Sequence, residues 1–190
     1  SDIDYRLGLV QFGNSTSYGP NPLVFNNGNL TNDVELFRGF ISQLQATGSF
    51  EPGFLALRMA VQEFDFRLGA QKVFILISDE DSDDRNKQLT IDLLQANGVT
   101  VHTAVSCSSG LSQTDYCDDT SIRGMTGGIL FNVVGPYDQI LDTIASQTAS
   151  SYLVHYRSSN PRFDATERTI SCAVTTEIGT DNVSCSYIPG

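Results

Sequence analysis

Asp79, Glu80, Asp81, Asp83 and Asp84 follow directly on the run Val73-Phe74-Ile75-Leu76-Ile77-Ser78. Carboxylates this close together suit hard cations such as Mg²⁺ and Ca²⁺, which take oxygen ligands. The run in front is apolar without alternation. That is the pattern of a strand buried on both faces, inside a parallel sheet flanked by helices. The acids would then stand at the strand's C-terminal end, where open α/β sheets place their ligand sites. A solvated acidic turn that caps the following helix is the other reading of the same residues.

Catalysis is tested by what else the chemistry would need. Asp79-Glu80-Asp81 superficially matches the D-x-D of haloacid-dehalogenase-type phosphatases, where one Asp attacks phosphorus beside Mg²⁺. Those enzymes also need a Lys and a later acidic pair, but the later strands here run into Ser106-Cys107 and Val134-Gly135. An EF-hand loop fails because Asp84 takes the Gly position and Thr90 the bidentate-acid position. There is no Gly-rich phosphate loop, no G-x-S-x-G elbow and no His/Cys catalytic pairing. The chain is not expected to be an enzyme, and a Mg²⁺-dependent phosphatase-like activity is the remote alternative.

The 190 residues carry 22 acids against 11 bases, a formal charge of −11, which argues against nucleic acid and anionic membranes as partners. At 40% hydrophobic residues the chain can bury a core, and no apolar run reaches the length of a membrane helix. Cys107, Cys117, Cys172 and Cys185 form two sequence-local pairs, although four cysteines allow three connectivities. Neither a CxxC spacing nor a His pair supports zinc. Two local disulfides are expected, each stabilising by about 2–3 kcal/mol, in an oxidising compartment. The sequons at Asn14, Asn29 and Asn182 agree with an extracellular, secreted or surface location, or are plain loop residues.

The elements that must position the acids can be read in order. Tyr5–Phe12 is strand-like, and residues 14–32 read as a polar excursion. Thr31-Asn32-Asp33 caps a helix with Phe37, Phe40, Ile41 and Leu44 on one face. A second helix carries Leu57, Ala60, Val61 and Phe64 and ends near Leu68-Gly69. After the acids, Asp83 or Asp84 caps a helix with Leu89, Leu93 and Leu94, stopped by Asn97-Gly98. Strands at 99–105 and 129–133 alternate with helices near 120–125 and 137–147, the pattern of a doubly wound, mostly parallel α/β sheet. Beyond residue 150 the pattern turns to strands at 151–157, 169–176 and 183–188. The expected organisation is an α/β domain over 1–150, with 151–190 as an antiparallel β extension packed on it.

Taken together these segments resemble the von Willebrand factor type A family, a Rossmann-like fold. Tyr5–Gly13 is similar to its R-x-G-L-V-x-F strand, and Gly48–Leu57 to its second metal loop and the helix behind it. Val73–Asp79 is similar to its apolar strand ending in S/T-D, Asn97–Thr103 to its G-V-x-V strand, and Thr126-Gly127-Gly128 to its x-G-G turn. Ser151–Val174 resembles an extension that follows such domains in surface and secreted proteins.

The resemblance implies a metal-ion-dependent adhesion site at the C-terminal edge of the sheet. It would hold Mg²⁺ (or Ca²⁺ or Mn²⁺), and an acidic group of a protein or glycan ligand would complete the shell. Asp79 matches one ligand position. Glu51 matches the glutamate of the integrin β-type pattern, Thr47 or Ser49 serve in the Thr-type arrangement, and Asp81 is a further candidate. Two departures stand out. The family's D-x-S-x-S loop and first strand are missing, so an upstream segment or a partner chain is expected to complete the sheet. Glu80 also stands where the family has Gly. The expected function is an extracellular adhesion or ligand-binding module. The alternative is a structural or assembly module with a degenerate metal site.

Overall fold

The computed structural model describes residues 4–13, 21–45, 49–107, 115–149, 165–176 and 179–188, with only part of the side chains in the last helix and the final two strands. The chain divides into two compact units, Ser1–Ser151 and Tyr152–Gly190.

The first unit is built on a three-stranded parallel sheet, β3 (Lys72–Ser78), β4 (Val99–Val105) and β5 (Leu130–Asn132), in that order. Seven residue pairs, from Lys72↔Val99 to Ser78↔Val105, join β3 to β4. A separate antiparallel pair, β1 (Val10–Gln11) and β2 (Leu23–Val24), precedes it. The helices are α1 (Val34–Ile41), α2 (Gly53–Glu63), α3 (Lys87–Ala96), the one-turn α4 (Ile122–Met125) and α5 (Tyr137–Ala149). This is the expected α/β architecture with helices flanking a parallel sheet.

One apolar cluster holds α2 and α3 to a single face of the sheet. Phe54 and Leu57 of α2, Leu76 of β3, Ile91 and Leu94 of α3, and Val99, Val101 and Val105 of β4 meet there with Tyr116 and Ile122. Each large side chain so buried stabilises the unit by roughly 1.5–3 kcal/mol. The close turn before β5 requires glycine, since a β-carbon at Gly128 would overlap the carbonyl of Val101. There the Ile129 N–H donates to His102 Nδ1 at 3.0 Å.

Several boundaries differ from the sequence reading. The strand expected over 5–12 narrows to Val10–Gln11 with a bridge from Leu7 to Thr31, because few of these residues find a ladder partner. Within the excursion after it, residues 23–28 form β2 and a 3-10 turn, Phe25–Gly28, that buries Phe25. Helix α2 ends at Glu63, not Leu68, with Phe64 already extended. The Asp83/Asp84 cap is corrected as well: Asn86 is the N-cap of α3, and Leu89 is exposed while Thr90, Ile91 and Leu94 point inward. Most consequential, β3 is not buried on both faces, since Ile75 and Ile77 are 41% and 51% exposed. Among the described residues only β4 pairs with β3, and the other edge carries no strand.

In the second unit, β6 (Arg168–Thr176) and β7 (Gly179–Tyr187) form an antiparallel pair, with Ile170 opposite Cys185 and Cys172 opposite Val183.

Candidate functional site

The acidic segment after β3 is a tied-down loop. Asp83 and Glu51 hold each other through the backbone: the Glu51 N–H donates to Asp83 Oδ2 at 2.7 Å, and the Asp83 N–H to the Glu51 carbonyl at 3.0 Å. Ser82 Oγ accepts from the Phe54 N–H at 3.1 Å, in the first turn of α2. Four helix-start N–H groups need such partners, and here the loop supplies one. The Ser82 N–H in turn donates to Asp115 Oδ2 at 3.1 Å, and the Asp115 N–H to Asp81 Oδ1 at 3.4 Å. Arg58 of α2 closes the arrangement with an ion pair to Asp84 at 2.6 Å and a bond to Thr90 Oγ1 at 2.8 Å.

These ties bring Glu51 to the C-terminal end of β3. Ser78 Oγ lies 3.2 Å from Glu51 Oε2 and 2.8 Å from the Glu80 carbonyl, and its single proton can serve one acceptor at a time. Burial raises the Glu51 pKa above its usual value, and the negative charges of Glu80, Asp79 and Asp83 raise it further against the Ser78 bond. Glu51, Asp79, Glu80 and Asp83 therefore share one acidic rim. Asp84 behaves oppositely: burial pushes its pKa up, but the bonds from Arg58 and Asn86 outweigh it and leave the carboxyl below its usual range.

Of the residues singled out in sequence, Asp79 and Glu51 are brought together. Ser49 is exposed two residues before Glu51. Asp81 is engaged with Asp115 in the loop tie. Thr47 and Asn14 lie outside the described residues, as do the side chains of Cys172 and Cys185. Cys107 and Cys117 form the expected disulfide. Asn29 is exposed, with its side-chain N–H donating to the Asn26 carbonyl at 2.8 Å, and Asn182 stands in β7 opposite Ala173. Sequence reasoning missed Ser78, Ser82 and Asp115. Asp115 is followed by Tyr116, which is 1% exposed and anchors it in the core, its hydroxyl against Gly53. The proximity of Asp115 to Cys117 was the one available signal.

The donor chemistry suits a hard cation. Among the described residues no three His, Cys, Asp or Glu side chains converge into a ready cage. Mg²⁺ is commonly held by one or two carboxylates with water completing its octahedron, and Glu51 and Asp79 are the carboxylates at this rim that such a site would draw on.

No protein-family profile matches the chain, and no curated protein does. Among solved structures it is similar to an aerotolerance-related membrane protein from Bacteroides fragilis, crystallised with multiple mutations to serines. The TM-score is 0.57 at 11% identity, over 79% of this chain and 82% of that one. At that identity the likeness is one of fold.

Proposed function

We propose that this chain is a von Willebrand factor A-like binding module that works outside the cytoplasm and recognises a protein or glycan partner at its acidic rim. The observation that supports this reading is the meeting of Glu51, at the start of α2, with Asp79 and Glu80, at the end of β3. Residues almost 30 positions apart are held at the C-terminal edge of a parallel sheet, where such folds bind ligands. Glu51 and Asp79 would hold a divalent cation, which would offer an open coordination position to a carboxylate of the partner. The backbone ties through Ser82, Asp83 and Asp115 fix the rim in advance, so little ordering cost falls on binding. The Cys107–Cys117 disulfide supports an oxidising compartment. The role is recognition and not catalysis.

Thermal melting of the whole chain in chelator, Mg²⁺, Mn²⁺ and Ca²⁺ tests it. A ligand selective for the folded state must raise the melting temperature, by about 2.7 kcal/mol of stabilisation at a hundredfold excess over Kd. Asp79→Asn and Glu51→Gln should each abolish the response. A melting curve indifferent to all three cations removes the cation from the reading. That outcome favours an assembly module of the same fold with a degenerate site, in line with the absence of three converging donors among the described residues.

A further inference from the structure

The turn into β5 is held by a group that acid can disarm. His102 of β4 is 3% exposed, and its Nδ1 accepts the Ile129 N–H at 3.0 Å. An imidazole nitrogen accepts a hydrogen bond only while it carries no proton. His102 is therefore neutral here, with its proton on Nε2. A second proton, on Nδ1, would set two N–H groups against each other at that distance.

Among the described residues β5 has few other ties to β4. It pairs over three residues, from Thr103↔Leu130 to Val105↔Asn132. Flanking bonds run from the Thr103 N–H to the Ile129 carbonyl at 3.0 Å and from the Val133 N–H to the Val105 carbonyl at 3.1 Å. Ile129 thus gives both of its backbone groups to β4, one of them through His102. The turn cannot move closer to replace a lost bond, because Gly128 already lies against the Val101 carbonyl. Nor does a neighbouring charge steady an imidazolium. The uncharged Ile75 of β3 stands in register with His102, and the Phe131 ring of β5 lies 6.3 Å from the imidazole, centre to centre. Lys72 of β3 is bonded to the Asn97 carbonyl, and Arg123 of α4 to the Cys117 carbonyl and Asp119. On α3, Lys87 lies near Asp115 and Asp118, and Asp92 accepts from Gln88. Asp138 and Asp142 of α5 are exposed. Burial is left to push the His102 pKa below its usual 6.5.

We propose that His102 is a proton-operated latch, which pins the turn and β5 to β4 while neutral and releases them when its Nδ1 takes up a proton. In the released state the Ile129 N–H turns to water, and the imidazolium gains the hydration that the closed state denies it. The sign follows from a proton that binds the open form more tightly. Opening is suppressed above pH 6.5, the usual imidazole value, and grows as the pH falls below it, until the pKa of the closed form is passed. Histidine is the side chain whose ordinary titration falls in this range, so the latch answers to mild acid. It does not depend on a cation at the rim.

Nitrogen NMR of the imidazoles and amide hydrogen exchange, on the whole chain in chelator, test the latch. His155→Gln assigns the two histidine signals. His102 should carry its proton on Nε2 at pH 7.5 and titrate with a midpoint below 6.5. With each rate divided by the intrinsic rate at its pH, the Ile129, Thr103 and Val133 amides should lose protection together, by about tenfold between pH 7.5 and pH 5.0, while the amides of β3 hold. His102→Asn offers an amide oxygen near the place of Nδ1 and has no proton to gain, so its three amides should show a flat profile. If that variant does not fold, the wild-type spectra and exchange decide. A proton on Nδ1 at pH 7.5, a midpoint at or above 6.5, or a flat wild-type profile overturns the proposal. A slope in His102→Asn equal to that of the wild type also overturns it.

Discussion

Replacing Asp84 by Asn isolates one charge in a nearly dry place. The Arg58 and Asp84 side chains are 12% and 10% exposed, and their closest atoms are 2.6 Å apart. In Asp84→Asn the amide oxygen can still accept from Asn86, but the guanidinium keeps only Thr90 as a partner. Breaking a fully buried pair costs about 3–5 kcal/mol, and the residual access to water lowers this to roughly 2–4 kcal/mol. For a chain of this size that is a fall in melting temperature of about 5–15 °C. Urea unfolding of Arg58→Met, Asp84→Asn and the double variant gives the coupling energy, expected near 2 kcal/mol with the double less destabilised than the sum. The dependence on pH has a definite sign. Asp84 titrates below its usual value of 3.8 when folded, so its contribution is complete above that value. It is lost as the pH falls through the folded pKa, and the wild type and Asp84→Asn should converge in acid. Additive costs, or single variants within about 0.5 kcal/mol of wild type, would refute the reasoning.

Glu51 should behave in the opposite sense, because its folded pKa lies above the usual 4.5. Stability falls as the pH rises from 4.5 through the folded value, so Glu51→Gln in chelator should be more stable than wild type at pH 7 and lose that advantage in acid, where Glu51 is neutral in both states, as read by urea midpoints. Gly128→Ala should cost several kcal/mol or prevent folding, since the new methyl meets the Val101 carbonyl, while Gly127→Ala beside it meets only the strain of a positive φ; soluble yield and melting compare them. Cys107→Ser with Cys117→Ser should lower stability by roughly 2–3 kcal/mol, as expected for a short closed loop, and urea unfolding under non-reducing conditions measures it.

Where a single stretch carried both pattern and punctuation, the sequence was enough. The apolar run into Asp79 located β3, the capping Asp33 located α1, and Asn97-Gly98 separated α3 from β4. What could not be read depends on contacts distant along the chain. Nothing near Phe64 shows that α2 stops there, because its C-terminus is set by packing and not by a glycine. The roles of Asp81 and Asp83 follow from Asp115 and Glu51, more than 30 positions away in each case. The apolar run of β3 was read as doubly buried because hydrophobicity records what a strand is suited to, and not whether a neighbour is beside it.

The loop after β3 separates shape from charge. Its course is fixed by Ser82, Asp83 and Asp84, which are tied to Phe54 and Asp115, to Glu51, and to Arg58 in turn, while Asp79, Glu80 and Asp83 add their charge to the rim around Glu51. Drift at 80 can therefore rewrite what the edge attracts, since the ties of Glu80 to Ser78 run through its backbone and not its carboxylate. Drift at 82–84 would dismantle the mounting itself. Descendants of this chain can change the sign of that corner cheaply through Glu80, whereas the charge on Asp83 cannot be exchanged without loosening the mounting.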